Sequence, residues 1–170
     1  ASTVGGNLAA TATTGNMTDS GNLTVTGTSS FTTSANNATI VLNNTNAFTG
    51  AVTITTNDDS GTDADVTIDN GTTALILAAS TIDGDLTLTS GHASGITDSG
   101  TVTVGGNLAA TTDANNGAIN LGTLAVGGTV ALTTHGSGNA TVVNDEDLNF
   151  AASTVGGNLA AIATTGNMTD

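Results

Sequence analysis

Short steps of the form [GD]-G-x-[LV], each leading through an alternating run to an apolar strand, open three consecutive segments in the second half of the chain. Residues 83–104 read DGDLTLTSGHASGITDSGTVTV, residues 105–126 read GGNLAATTDANNGAINLGTLAV, and 127–155 open on GGTVALTT. Residues 5–25 align with 83–104 through a shared TDSG, and 26–48 and 49–82 complete the set. The six segments are 21, 23, 34, 22, 22 and 29 residues long. A period this short cannot enclose a core of its own, so neighbouring repeats must stack to bury one. The fold expected is all-β, a parallel β-solenoid (β-helix) with turns of about 21–34 residues and three sheet faces. Stacked at ~4.8 Å per turn, six turns span roughly 29 Å.

A longer repeat lies over the short one. Residues 1–19 read ASTVGGNLAATATTGNMTD and residues 152–170 read ASTVGGNLAAIATTGNMTD, so only Thr11 against Ile162 differs at an offset of 151 residues. Residues 1–170 therefore read as one continuous solenoid segment of a tandem array, with a 151-residue unit and 152–170 beginning the next copy.

Within a turn the apolar residues alternate, as in Leu23/Val25, Val52/Ile54, Leu86/Leu88 and Val102/Val104. Alternation sends one set inward and the Thr, Ser and Asn set outward. The run Ala74–Leu77 breaks the rule and reads as buried on both faces. The 34-residue segment holds AVTITT, ADVTID and TALILAAS, one for each of three faces, with its extra length in corners. Composition agrees. There is no Pro, Cys, Trp or Tyr, and Phe occurs three times, so the core is narrow and built from Ala, Val, Leu and Ile. Pro would remove a ladder donor, whereas Gly and Asn suit corners. Few aromatics and a single sign of charge also describe disordered chains. The period-2 runs and a charged fraction of 8% argue for order.

Fourteen acids and no Lys or Arg give a formal charge of −14. Without cations the chain has nothing to set against phosphate, which excludes nucleic acid and anionic membrane surfaces as partners. No apolar run reaches transmembrane length, so this segment inserts in no membrane. The lack of Lys and Arg also leaves trypsin-like proteases no site, which suits an extracellular or cell-surface location.

The GGNL, SGNLTV and VGGTVALTT steps resemble the repeats of filamentous-haemagglutinin-type giant bacterial adhesins. The resemblance runs over nearly the whole chain and implies right-handed β-helix shafts exported through an outer-membrane partner. It implies a surface or secreted fibre and supplies no catalytic residue.

Candidate chemistry is sparse. His92 and His135, in SGHASG and THGSG, read as solvated corner residues, and no nucleophile elbow or paired-His spacing accompanies them. Asp58, Asp59, Asp63 and Asp65 crowd around Gly61, and hard oxygen ligands at short spacing suit Ca²⁺. The rival reading is a solvated acidic corner, and the same choice applies to Asn144–Asp147. Outward T-x-T pairs (Thr24/Thr26, Thr53/Thr55, Thr87/Thr89, Thr101/Thr103) suggest an ice-binding face. Its rank is broken, however, because the slot of Thr87 holds Ala9, Ala109 and Ala131 in other turns.

The function expected is a non-catalytic structural shaft or fibre-forming repeat of a giant extracellular protein. Its expected partners are neighbouring units end to end, with lateral self-association or glycans in addition. No cofactor is required, and calcium is the one candidate. A Ca²⁺-dependent adhesive module is the alternative, and an ice-binding solenoid the more remote one.

Overall fold

A computed structural model of the chain describes residues 1–57 and 63–170. All described secondary structure is strand, and every strand pairing is parallel. The chain winds as a β-solenoid of about seven turns with three sheets, designated A, B and C.

The first three circuits each visit A, B and C in order. They comprise β1 (Ser2–Val4), β2 (Leu8–Ala12) and β3 (Met17–Thr18); β4 (Leu23–Val25), β5 (Ser29–Thr33) and β6 (Ile40–Leu42); and β7 (Ala47–Phe48), β8 (Val52–Thr55) and β9 (Val66–Asp69). From the fourth circuit the cross-section changes. Sheet A is not extended, and β10 (Leu75–Leu77) and β11 (Ser80–Ile82) both join sheet B, meeting β8 at Val52↔Leu77 and Thr55↔Thr81. Sheet B thereby forks into two limbs, while β12 (Leu86–Ser90) continues sheet C.

The fifth circuit is β13 (Ile96–Asp98), β14 (Val102–Val104) and β15 (Leu108–Thr112). In the sixth, β16 (Ile119–Val126) covers both limbs of sheet B, and β17 (Thr129–Thr134) lies in sheet C. Then come β18 (Ala140–Asn144) and β19 (Leu148–Phe150), followed by β20 (Leu159–Ala163) and β21 (Met168–Thr169).

Eight strands stack in sheet C from β3 to β21, so the 151-residue repeat spans seven axial steps where the segment count predicts six. At ~4.8 Å per step that is roughly 34 Å. The difference comes from the two long segments. Residues 49–82 contain four strands and 127–155 return to sheet C twice, so each holds more than one circuit. Offsets between paired residues run from 19 (Ala140↔Leu159) to 26 (Ile40↔Val66).

The alternating residues point inward as the pattern requires. Val52, Ile54, Leu86, Leu88, Val102 and Val104 are buried, in one core that runs the length of the solenoid. Ile76 does not follow the two-face reading of its run. Leu75 and Leu77 are buried, but Ile76 points outward, half-exposed, beside Thr97. The strand obeys ordinary period-2 geometry with an apolar residue on its outer face. The bore also accommodates two aromatic rings, Phe31 and Phe48, stacked edge-to-face with centroids 5.4 Å apart.

Where a circuit lacks a strand, an Asn side chain takes its place. Asn70 is fully buried at the corner after β9. Its Oδ1 accepts the Phe48 N–H at 2.7 Å, and its Nδ2 donates to the carbonyls of Phe48 and Ala74 at 3.1 and 2.9 Å. The amide is chemically a peptide group, so it satisfies β7 at the position where sheet A stops. Asn144 serves Val126 at the end of β16 in the same way, at 2.8 and 3.1 Å. Asn46 accepts from the Leu23 N–H at 2.7 Å.

One buried polar atom has no such partner. Ser29 Oγ lies in the core between Leu8 and Val52 of the adjoining strands without a hydrogen bond. Because an unsatisfied buried hydroxyl costs about 1–3 kcal/mol, Ser29→Ala is expected to stabilise the protein by roughly 1 kcal/mol. The check is a higher urea midpoint at unchanged m-value, and a lower midpoint would mean the hydroxyl is satisfied after all.

Candidate functional site

The polar corners carry most of the chain's titratable and amide side chains, and their geometry is repetitive. The residue just before a strand uses its side-chain oxygen to accept the backbone N–H of its counterpart in the next circuit. Along the edge of sheet C, Asp65 Oδ1 accepts from Asp85 at 2.8 Å, Asp85 Oδ1 from Asn107 at 2.7 Å, and Asn107 Oδ1 from Thr129 at 2.8 Å. The same bond joins Asn7 to Thr28, Asn16 to Thr39, Asn139 to Asn158 and Asp147 to Asn167. All of these bonds have one polarity, acceptor earlier in sequence and donor later, and they form ladders parallel to the solenoid axis. Close stacking of glycines makes room for them. A Cβ on Gly106, for example, would meet the backbone of Gly84 at 2.8 Å.

Of the four carboxylates considered for Ca²⁺, Asp58 and Asp59 lie outside the described residues. Asp63 and Asp65 are both exposed. Asp65 is a ladder acceptor, while Asp63 faces Asn37, whose amide, turned to donate, puts its nitrogen 2.7 and 3.2 Å from the two carboxylate oxygens. Among the described residues no three His, Cys, Asp or Glu side chains converge as a metal site. In the second acidic corner, Asn144 is buried in its backbone bridge, and Asp145 and Asp147 bond to Thr164 and Asn167 in the next circuit.

The histidines sit in equivalent tight turns after sheet C strands. Gly95 N–H bonds to His92 O at 2.9 Å and Gly138 N–H to His135 O at 3.0 Å. His92 Nδ1 accepts from Ser94 N–H at 3.0 Å, and His135 is exposed. Nothing in their placement brings the two together on a reacting group.

A shallow groove of ≈ 230 Å³ lies where β16 bulges between Leu121 and Leu124, bordered by Thr101, Thr123, Val143 and Asp145. It is below the range usual for small-molecule sites. Asp98 forms part of its frame, accepting from Gly122 and Thr123 N–H at 3.0 and 2.7 Å.

The outward threonines are arranged differently from the sequence reading. Thr87 is indeed followed by Ala109 and Ala131 on sheet C, but Ala9 belongs to sheet B beside Ser30. Meanwhile Thr11, Thr32, Thr55, Thr81 and Thr103 pair successively across five circuits of sheet B, ending at Ala125. A second column, Thr89, Thr111, Thr133 and Thr154, runs up sheet C. Their sequence spacings vary between 21 and 26, which conceals the columns from any fixed-period alignment.

No curated protein and no solved structure matches the chain. A family model does, described as repeats of unknown function (DUF5649), over residues 1–55 and 63–121. That is more than half of the 170 residues, and the chain belongs to this repeat family.

Proposed function

We propose that this chain is a structural shaft repeat, a stiff spacer or fibre element of a large extracellular or cell-surface protein of filamentous-haemagglutinin-like, bacterial type, and that it performs no catalysis. The observation that carries the reading is the direction in which its bonding groups point. Backbone ladders, the core, the Asn bridges and the corner ladders all join one circuit to the next along a single axis. A body bonded in this way resists bending and extends by adding circuits. The outer faces offer columns of hydroxyls with few charges, suited to lateral contact with sister shafts or glycans without strong electrostatic selection.

Calcium is not required on this reading, because Asp65 is already held by the Asp85 N–H and Asp63 faces the Asn37 amide. The test is small-angle scattering of a chain of three 151-residue units, expected to be a rod of roughly 100 Å at the ladder spacing, and its thermal melting with Ca²⁺ and with EGTA. A rod-shaped particle with the same melting temperature in both conditions supports the shaft. A melting temperature that collapses in EGTA would favour the Ca²⁺-dependent adhesive module, and a globular or expanded particle would overturn the shaft itself.

A further inference from the structure

The circuit formed by residues 152–170 has one axial face resting on β18 and β19, while no described residue covers the opposite face. Leu159 and Met168 on this circuit are 46 and 50% exposed, whereas their counterparts Leu8 and Met17 are half-buried. The same circuit occurs elsewhere in the molecule with that face covered. Residues 1–19 share its sequence apart from Thr11/Ile162, and β2 and β3 have the strand limits of β20 and β21 displaced by 151. There the covering segment is Ser20–Leu42. Strand β5 pairs with β2 from Leu8↔Ser29 to Ala12↔Thr33, and β6 pairs with β3 at Met17↔Ile40. Thr28 and Thr39 donate to the side chains of Asn7 and Asn16 at 3.0 Å each.

We propose that the axial face of circuit 152–170 is a docking surface for residues 20–42 of a further copy of this same sequence. The inference rests on the end-to-end shaft reading above and specifies its joint. The register follows from residues 1–42. Leu159 faces Ser29 of the incoming copy, Met168 faces Ile40, and the Oδ1 atoms of Asn158 and Asn167 accept from Thr28 and Thr39. Asn158 and Asn167 are then bonded on both axial sides, because they already donate their N–H groups to Asn139 and Asp147. The one sequence difference fits this arrangement. Residue 162 points outward beside Val143, so Ile in place of Thr makes no demand on the core.

The test compares the 170-residue chain with a longer chain in which residues 20–170 follow Asp170. Hydrogen exchange at Leu159–Ala163 should slow in the longer chain, and its maximum dimension should grow by roughly 34 Å, seven circuits at the ladder spacing. The double substitution Asn158→Ala/Asn167→Ala should leave exchange in the 170-residue chain unchanged and speed it at the joint of the longer chain about thirtyfold, the effect of two net hydrogen bonds. Growth in length without added protection at 159–163 would overturn the joint and leave two separate shafts. A longer chain that forms no rod would overturn both the joint and the shaft reading.

Discussion

Asn70→Ala is expected to destabilise the protein by about 2–5 kcal/mol, because it leaves the N–H and carbonyl of Phe48 buried without partners. Asn70 has no exposed surface, so water cannot take over either bond in the folded state. Asn70→Asp should be no milder, since it keeps the acceptor for Phe48 N–H but loses all three Nδ2 bonds and buries a charge. Asn144→Ala removes the corresponding bridge to Val126 and should cost a similar amount. Chemical denaturation of the three variants measures this directly. Losses below about 1 kcal/mol would mean that the amides do not replace strands in the ladder.

The second large effect is steric. Gly95→Ala is expected to cost at least about 3 kcal/mol. Gly95 has φ +66°, which costs an L-residue roughly 1–2 kcal/mol. The added methyl would also overlap the carbonyl oxygen of Ala118, the acceptor of the Ile96 N–H, so the clash is with backbone rather than a movable side chain. Gly122 provides the contrast. A Cβ there would come no nearer than 3.9 Å to Asp98 Oδ1, and Gly122→Ala should stay within about 1 kcal/mol of the parent in either direction. Equal losses in the two variants would show that chain entropy, not stacking, governs these glycines.

The solenoid was legible in the sequence because its cause is local. Leu86/Leu88 and Val102/Val104 alternate within one strand, and alternation alone settles which side is buried. The number of circuits was harder to read, since corners vary in length and residues 49–82 conceal a fork in sheet B behind a single long spacing. Asn70 and Asn144 were hidden by abundance. Asn is common at every corner, and only the missing neighbouring strand distinguishes a bridging amide from a solvated one. The threonine columns were hidden by uneven offsets. For Asp65 the sequence offered metal or solvent, and the structure adds that one of its carboxylate oxygens accepts the Asp85 N–H. That is a third role which composition does not signal.

The offsets of 19–26 residues between paired strands also bear on how the molecule fails. Each residue's paired neighbours lie one circuit away, so the consequences of a lesion are confined to a short stretch of chain. A misplaced side chain, an oxidised Met17 or a nick in one corner weakens the circuits directly above and below, and the rest continue to support one another. A globular domain of this size loses its whole structure together when its core is breached. In this one, circuits away from the lesion keep their own paired neighbours, so damage is contained where it falls.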